Sequence, residues 1–364
     1  MDETVSPRAR LAEPGEDITV DELRMAARNH GMPLEALRYD VTPIGLHYLL
    51  IHYDIPYLDP DAWQLTVDGH VERPFTLRLD DLRARPAVTR RVTLECAGNG
   101  RARLTPRPVS QPWLDEAVGT AEWTGTPLAA VLGEAGVRDG AVDVAFTGAD
   151  HGVERGVEQD YQRGLPVAEA MGDDVLLVYA MNGQPLPPQH GAPVRLLVPG
   201  WYGMAHVKWL VGIRVLDVPF DGFQNATAYR LVHDPDEPGA PVTRMQPKAL
   251  VLPPGFPDFQ SRTRVVDRGV HELTGRAWSG HGAVVRVEVS VDGGKTWGEA
   301  EVGPAADRYA WQPWAWRWTV DAPGRYELCA RATDAAGNVQ PVEQAWNRQG
   351  MANNHAQRVP VVVR

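Results

Sequence analysis

The sequence has too few cysteines for a disulfide framework, since its 364 residues contain only Cys96 and Cys329. Small secreted domains held together by disulfides are therefore excluded as a class. No apolar run approaches the ~20 residues that a membrane helix needs. The N-terminus is acidic and lacks a basic start followed by an apolar stretch, so no secretion signal is visible and the cytoplasm is the expected location.

Positive charge is also scarce, with 36 lysines and arginines against 47 aspartates and glutamates and a net charge of -11. This balance argues against nucleic-acid and anionic-membrane partners, because both require a basic surface. The nucleotide signatures GxGxxG and GxxxxGK[ST] are absent, as are the HExxH zinc motif and the GxSxG elbow of hydrolases. An anionic small-molecule substrate remains compatible with the charge, since basic residues can gather in one pocket.

What the sequence does contain is a pattern of many strands and few helices. Residues 21–29 and 127–133 predict short helices, the first ended by Gly31 in a left-handed turn. Beyond residue 257 nearly every segment predicts strand or turn. The candidate strands are 64–67, 70–79, 91–95, 175–179, 194–198, 207–215, 271–278, 284–291, 314–320, 326–332 and 359–363.

A composition break at residues 233–257, with acids, glycine and seven prolines, predicts an interdomain linker with some extended structure. We therefore predict a loose N-terminal arm (1–20), a mixed α/β domain (21–235), a linker (236–257) and a C-terminal domain (258–364). The regular strand spacing in the last segment is typical of an immunoglobulin-like β-sandwich. The expected fold class of the whole chain is α+β.

Cys96 is the first candidate functional residue, because it lies where a predicted strand ends and a glycine-rich loop begins. Such loops bring backbone N–H groups close to a ligand, and nearby Arg101 and Arg103 favour a thiolate. The alternative is a small buried core residue, which is common for free cysteine. Cys329 lies within a predicted strand without glycines, which favours a core position.

A second cluster places His190, Arg195 and Lys208 within nineteen positions, on two strands joined by glycine turns. Arginine offers a bidentate fork to phosphate and lysine offers a point charge, so the set suits a phosphate-bearing ligand. The alternative is a group of solvated surface charges on strands.

Together these segments resemble the sulfite oxidase family of molybdopterin enzymes, from about Ala36 to the C-terminus. The matching motifs are Cys96-Ala97-Gly98-Asn99, the run 175–183 leading through His190 to 207–210, and 290–297 followed by Ala345-Trp346-Asn347. The resemblance implies a mixed α/β molybdopterin-binding domain and an immunoglobulin-like dimerisation domain, hence a homodimer. It also implies oxidation of sulfite to sulfate by oxo transfer, with electrons passed to a separate acceptor.

The resemblance further assigns roles to single residues. Cys96 becomes the one protein ligand of molybdenum in a molybdenum-molybdopterin cofactor, and a soft thiolate suits a sulfur-rich site. Arg101 falls beside the substrate, and Tyr229 falls on a tyrosine that faces the metal. The family positions that hold the pterin or its phosphate fall on His52, His190, Arg195, His206 and Lys208.

Two departures weaken the match to sulfite as the substrate. Family arginines that hold this anion fall on Leu50 and Gln349, although Arg348 is adjacent. Each lost charge-assisted contact costs roughly 1.5–3 kcal/mol. The alternatives are the same cofactor reducing an S- or N-oxide, a non-catalytic immunoglobulin-like binding protein, and a thiol-dependent hydrolase that lacks a convincing histidine partner.

Overall fold

The computed structural model describes residues 10–343 and 345–364. Its α-helices are α1 (Val20–Arg28), α2 (Leu79–Arg83), α3 (Leu128–Ala135) and α4 (Val167–Ala170). Short 3-10 turns lie at Leu34–Arg38, Ile44–Leu46, Arg101–Arg103, Pro188–His190 and Gly203–Ala205, and a π-helical turn lies at Gln224–Ala228. Within the described residues no helix is long and apolar enough to cross a membrane.

The N-terminal two thirds of the chain form two main sheets. Their strands are β1 (Gln64–Gly69), β2 (Phe75–Arg78), β3 (Val88–Glu95), β4 (Val118–Pro127), β5 (Asp143–Glu154), β6 (Val157–Pro166), β7 (Leu176–Met181), β8 (Gln184–Pro185), β9 (Arg195–Leu197) and β10 (Leu210–Leu216), followed by a ribbon of β11 (Arg230–Leu231) and β12 (Ala240–Pro241). One sheet has the order β2-β1-β10-β5-β6, and the other has β3-β4-β7-β8 with β9 beside β7.

These sheets form because apolar side chains alternate with polar ones along strands with one solvated face and run continuously along strands buried on both faces. In β1 the alternation buries Leu65 and Val67, whereas all of β9 is buried. The main core joins β1, β5 and β10 with α3, and a smaller core surrounds Trp123 of β4. Cys96 belongs to the smaller core, so the candidate ligand is buried against the sheet that contains β3, β4 and β7 rather than on the surface.

The C-terminal part of the chain consists of two further sheets. Its strands are β13 (Lys248–Val251), β14 (Phe256–Pro257), β15 (Arg264–Val266), β16 (Gly269–Trp278), β17 (Val284–Ser290), β18 (Gly298–Glu299), β19 (Glu301–Val302), β20 (Gln312–Val320), β21 (Gly324–Asp334) and β22 (Val359–Val363). The sheet orders are β13-β16-β20-β19 and β14-β15-β22-β21-β17-β18. Residues of both sheets share one hydrophobic core, so the sheets pack face to face.

Several predicted element boundaries are wrong, and three of them illustrate how the structure departs from the local pattern. Helix α1 ends at Arg28 with Asn29 extended (φ -123°), because the Asn29 side chain bonds Ile51 N (2.7 Å) and His30 then pairs with Leu49. The predicted strand 70–79 shrinks to β2, since the Asp81 carboxylate caps the Arg78 N–H (2.7 Å) and starts α2. The predicted strand 207–215 begins only at Leu210.

The predicted linker also contains regular structure. Within 236–257 all four residues of β13 are buried, and β13 pairs antiparallel with β16. The sequence predicts some extended structure here but does not single out this strand, because prolines surround a stretch of only four residues. The break in composition therefore marks a crossing between the two parts of the chain.

The sequence predicts a loose N-terminal arm, whereas the described part of that arm, residues 10–20, is bound to the rest of the protein. Residues 10–12 run along residues 107–109, with Ala12 N bonded to the Arg107 carbonyl (2.7 Å) and a bridge between Leu11 and Pro108. The Arg107 guanidinium pairs with the buried Glu22 of α1 (2.8 Å). This part of the arm is thus fixed to the body of the protein. Residues 1–9 of the predicted arm lie outside the described residues.

Candidate active site

Cys96 lies directly after β3, at the start of the glycine loop. Its N–H donates to the Ala117 carbonyl (2.9 Å), and its own carbonyl accepts from Asn99 N (3.0 Å). Gly100 adopts a left-handed conformation (φ 87°) that turns the chain into the 3-10 turn carrying Arg101. The predicted strand-to-loop position of the thiol is confirmed, and the thiol is buried, at 7% exposure.

The surroundings of the Cys96 thiol act in opposite directions on its charge. Burial raises its pKa, while the charge of Arg101, the Gly98 backbone N–H and the Trp113 indole N–H act to lower it. A buried thiol with donors aimed at it is stabilised as a thiolate once a cation binds, because a coordinated thiol loses its proton. Cys329, by contrast, lies fully buried in β21, and burial raises its pKa to about 11.

Most of the predicted ligand-binding residues surround one cavity, which we call the inner cavity. They come from distant parts of the chain, and only the folding of β3, β9 and the loop before β10 brings them together. Its wall also includes Leu50, one of the two departures from the family, and Asp150 and Tyr161, which the sequence did not single out. The predicted residues in its wall are His52, Cys96, His190, Arg195, His206, Lys208 and Tyr229.

The inner cavity gathers positive charge where burial opposes it. Burial lowers the pKa of Lys208 to about 7 and that of Arg195 to about 10, and in Lys208 repulsion from Arg195 adds to the effect. Burial likewise lowers the pKa of His190 to about 2, with further repulsion from His47. One carboxylate lines the cavity among the described residues, Asp150, whose pKa burial raises to about 6.

The buried cations keep donors free for a ligand. The two terminal nitrogens of Arg195 donate to the carbonyls of His190 (3.0 Å) and His206 (3.3 Å), yet Nε has no partner among the described residues. Nε2 of His47 is also buried and unpaired, but it is a free acceptor, because burial keeps the ring neutral and Nδ1 donates to the Tyr48 carbonyl (3.0 Å). Because an unpaired buried polar atom costs roughly 1–3 kcal/mol, such atoms call for a ligand. Cationic donors beside a thiol fit an anionic, sulfur-coordinated metal cofactor.

Lys208 reaches the cavity through an unusual backbone turn. Its Nζ donates to the carbonyls of Leu50 (2.8 Å) and Gln189 (3.3 Å). The next residue, Trp209, adopts φ 49° although bulky side chains rarely do so, and its indole donates to Pro188 (2.8 Å). This turn separates Lys208 from β10, which explains why β10 begins three residues after the start of the predicted strand.

His206 differs from the other predicted cofactor residues. Its Nδ1 accepts from Val198 N (3.0 Å) and its Nε2 lies 3.1 Å from the Trp201 carbonyl. Both nitrogens are therefore occupied by backbone, which fixes a neutral tautomer with the proton on Nε2. In this structure the ring stabilises the loop after β9 through these two hydrogen bonds. A contact between either ring nitrogen and the cofactor would require one of them to break.

A second, larger cavity of about 370 Å³, which we call the outer cavity, adjoins the first. The two share Leu50, His52, Cys96 and Tyr229 in their walls, so a ligand in the outer cavity meets the thiol. His52 Nε2 and the Tyr229 hydroxyl lie 2.8 Å apart at this shared wall. Burial lowers the pKa of His52 to about 4 and raises that of Tyr229.

Arg101 lines the outer cavity rather than the inner one. Its Nε donates to the Gln349 carbonyl (2.9 Å), and one terminal nitrogen donates to Ser110 Oγ (3.2 Å) and the Gln111 carbonyl (3.4 Å). No carboxylate pairs with it within the described residues. A buried arginine held only by neutral groups keeps its charge available for an anion.

The two departures seen in the sequence have clear structural consequences. Leu50 places an apolar side chain in the wall of both cavities. The Gln349 amide points at the Thr227 carbonyl (3.4 Å) and adds no charge, while its backbone anchors Arg101. Arg348, the adjacent residue, lines the outer cavity.

Several residues of the site escaped prediction. Trp113, which approaches the Cys96 thiol, and Asp150 of β5 carried no motif that could have marked them. Arg155 lines the outer cavity from a hairpin turn between β5 and β6, a position that sequence periodicity does not relate to Cys96. His47 was visible only as one histidine among eleven.

Comparison with known proteins places this geometry in a family. Residues 52–224 match the oxidoreductase molybdopterin binding domain, and residues 256–364 match the Mo-co oxidoreductase dimerisation domain. Sulfite oxidase of Gallus gallus is 36% identical over 345 residues, which cover 85% of this chain and 71% of that protein. Mitochondrial sulfite oxidase of Homo sapiens is 35% identical over 348 residues, 89% of this chain but only 62% of that protein.

Two further similar proteins have names that indicate other activities. Nitrate reductase [NADH] 1 of Oryza sativa subsp. japonica is 32% identical over 345 residues, 86% of this chain and 37% of that protein. The crystal structure of the sulfane dehydrogenase SoxCD from Paracoccus pantotrophus superposes with a TM-score of 0.79 at 27% identity, covering 96% of this chain and 87% of that one. The chain therefore belongs to the sulfite oxidase family of molybdopterin-dependent oxidoreductases.

Proposed function

We propose that this enzyme oxidises sulfite, with water, to sulfate, two protons and two electrons, and passes the electrons to a separate acceptor. The observation that carries the proposal is the shared wall of the two cavities, which contains Cys96, His52 and Tyr229, together with Arg101 in the adjoining outer cavity. Sulfite oxidases among the relatives support the choice of substrate. The bound molybdenum cofactor supplies the oxo transfer and accepts the electron pair.

In this proposal the inner cavity holds the cofactor. Cys96 is the metal ligand, and Arg195, Lys208 and His190 hold the pterin or its phosphate, with His52 at the shared wall. The spare donors on Arg195 and the cluster of desolvated cations support this role, because they lack an anionic partner of comparable charge. We assign His206 to positioning, since it keeps the Arg195-bearing strand and the following loop together.

The outer cavity holds the substrate. Arg101 binds the anion, and its guanidinium is oriented beforehand by three neutral acceptors, so little freedom is lost on binding. Tyr229 keeps its proton, because burial raises its pKa, and the hydroxyl is therefore a donor to an oxygen at the shared wall. His52, neutral at pH 7, donates from Nε2 to the Tyr229 oxygen in this arrangement, which leaves the hydroxyl proton for the ligand and fixes its direction.

The experiment is a steady-state assay of the molybdenum-loaded enzyme with sulfite and an artificial electron acceptor. Turnover that depends on both sulfite and molybdenum is expected. A molybdenum-loaded protein that does not turn over sulfite would refute the proposed substrate while leaving the family membership intact.

A second candidate is reduction of an S- or N-oxide at the same cofactor. Two observations favour it: Leu50 and Gln349 leave the substrate cavity with fewer cations than expected for sulfite, and a nitrate reductase is among the relatives. The discriminating assay supplies a reduced artificial donor with nitrate, an amine N-oxide or a sulfoxide. Oxidation of the donor that depends on the oxide, without sulfite turnover, would establish this candidate.

We further propose that the C-terminal part is an immunoglobulin-like domain through which the enzyme forms a homodimer. Its two packed sheets and its match to the dimerisation domain support both statements. Light scattering during size-exclusion chromatography tests the dimer, for which a mass of twice 40.0 kDa is expected. A monomer at micromolar concentration would contradict it.

A further inference from the structure

Arg155 occupies a turn that does not suit it. The hairpin joining β5 and β6 has a two-residue turn, Arg155-Gly156, with φ of 51° and 80°. Turns of this kind favour asparagine, aspartate or glycine, because other side chains are strained at positive φ. A strained residue is retained only where its surroundings hold it, and such residues concentrate at functional sites. The choice of arginine here therefore needs an explanation.

The Arg155 side chain is half-buried in the wall of the outer cavity, together with Arg101 and Arg348. Neither Arg155 nor Arg348 makes a side-chain hydrogen bond or an ion pair with any residue between 10 and 364 that the structure describes. Surface arginines elsewhere in the chain commonly have acidic partners, such as Arg214 with Asp68 (2.8 Å). The two arginines at the cavity are thus available to an external anion.

The charges around the outer cavity are strongly unbalanced. Its wall contains five arginines and two carboxylates, although the whole chain carries a net charge of -11. Arg10 and Asp21 have partners of their own, Glu16 (2.7 Å) and Arg24 (2.7 Å). The second carboxylate, Glu154, accepts from Gln224 Nε2 (3.0 Å). A local positive field in an acidic protein attracts anions to this opening.

From this arrangement we propose that Arg155 is a specificity-determining residue. Together with Arg101 and Arg348 it binds the oxygens of a doubly negative oxoanion. The inference rests on the proposed function, since the same cavity would receive the substrate. Arg155 and Arg348 supply two cations in place of those absent at Leu50 and Gln349. Arg155 comes from the β5–β6 hairpin, and Arg348 comes from the chain before Gly350. The substrate class is thereby a dianion, and neutral S- or N-oxides are disfavoured.

The test compares Arg155→Gln, Arg155→Lys and a matched control, Arg138→Gln, in the molybdenum-loaded enzyme. Arg138 is exposed, lies outside both cavities and makes no ion pair within the described part of the chain. Glutamine meets the same backbone strain as arginine, so all variants should melt together. We expect Arg155→Gln to raise KM for sulfite about tenfold with kcat within twofold, as lost charge-assisted contacts do. Lysine should restore part of the loss, and the control should match the unmodified enzyme.

Calorimetric titration with sulfate at constant ionic strength provides a readout independent of turnover. Its Kd should rise about tenfold in Arg155→Gln and stay unchanged in Arg138→Gln. If sulfite is not turned over but sulfate binding still weakens, the proposed reaction fails and the anion site stands. If sulfate binds Arg155→Gln and Arg138→Gln equally, the role of Arg155 is refuted whatever the reaction.

Discussion

His190 and Lys208 lie in the wall of the inner cavity, where burial lowers the pKa of the imidazole to about 2 and that of the ammonium to about 7. An anionic ligand bound beside them acts in the opposite direction, because it stabilises the protonated forms. Cofactor binding near pH 7 should therefore be accompanied by proton uptake, mainly at Lys208. The individual cations were recognisable in the sequence, but their mutual repulsion and burial arise only from the fold.

A change of His190 to glutamine should alter how stability depends on pH in the cofactor-free protein. Below pH 6.5 the unfolded imidazole takes up a proton while the native one stays neutral, so acidification favours unfolding. The stabilisation from the neutral buried ring is complete above pH 6.5 and is lost as the pH falls toward 2. Between pH 7 and 5 the unmodified protein should lose about 2 kcal/mol relative to His190→Gln. Urea unfolding at both pH values measures this, and parallel losses in the two proteins would contradict it.

At the scale of elements, the glycine loop 96–100 shows what a sequence can and cannot predict. The strand-to-loop transition at Cys96 was predicted correctly because alternating β-branched residues end at a cluster of glycines. The reason for Gly98 was not visible: a Cβ there would lie 2.7 Å from the Arg101 guanidinium carbon. Likewise, the late start of β10 depends on the bond from Trp209 to Pro188, twenty-one residues away. Long-range contacts of this kind override local patterns.

Gly98→Ala should displace the Arg101 guanidinium and weaken anion binding without unfolding the protein. The φ of Gly98 is not positive, so alanine adopts the backbone and only the arginine must move. We expect KM for sulfite to rise roughly tenfold, in line with a lost charge-assisted contact. Gly133→Ala is the matched control, because nothing lies within 4 Å of its added Cβ on α3. That control should keep KM and gain about 0.5–1 kcal/mol of stability. An unchanged KM in Gly98→Ala would contradict this account of the loop.

At the scale of the whole molecule, residues of the C-terminal part contact both ends of the Cys96 loop and fix its position. Lys248 of β13 lies 3.6 Å from the Glu95 carboxylate, both fully buried, and Trp278 donates to the same carboxylate (2.9 Å). Lys248 Nζ also donates to the Asn353 carbonyl (3.1 Å), and the Asn353 amide donates to Gly100 (2.8 Å). The residues on either side of the thiol loop are therefore fixed by the second pair of sheets.

Lys248→Met should be strongly destabilising, because it leaves the Glu95 carboxylate buried without its cation. Removing one partner of a buried ion pair costs about 3–5 kcal/mol. Chemical denaturation measures the loss, and the double variant Lys248→Met with Glu95→Gln should recover a large part of it. A loss below about 1 kcal/mol would show that the pair does not connect the two parts of the molecule.

The sequence predicted the family, because motifs such as Cys96-Ala97-Gly98-Asn99 are local, and it named seven of the residues that line the inner cavity. It did not predict the crossing between the two parts. Residues of β13 read as linker, yet Lys248 of that strand contacts Glu95, 153 positions earlier, from inside a proline-rich segment. Charge pairing at this separation leaves no periodic signal in the chain.

The central claim is that Cys96 holds molybdenum in a site that reacts with sulfite. The most direct measurement is the molybdenum content of protein from a cofactor-competent host, together with the paramagnetic signal of the metal after sulfite addition. The unmodified protein and the core variant Cys329→Ala should both contain about one molybdenum atom per chain and give the signal. Cys96→Ser should keep the fold but lose the signal and the activity. A full signal in Cys96→Ser, or no molybdenum in the unmodified protein, would contradict the account.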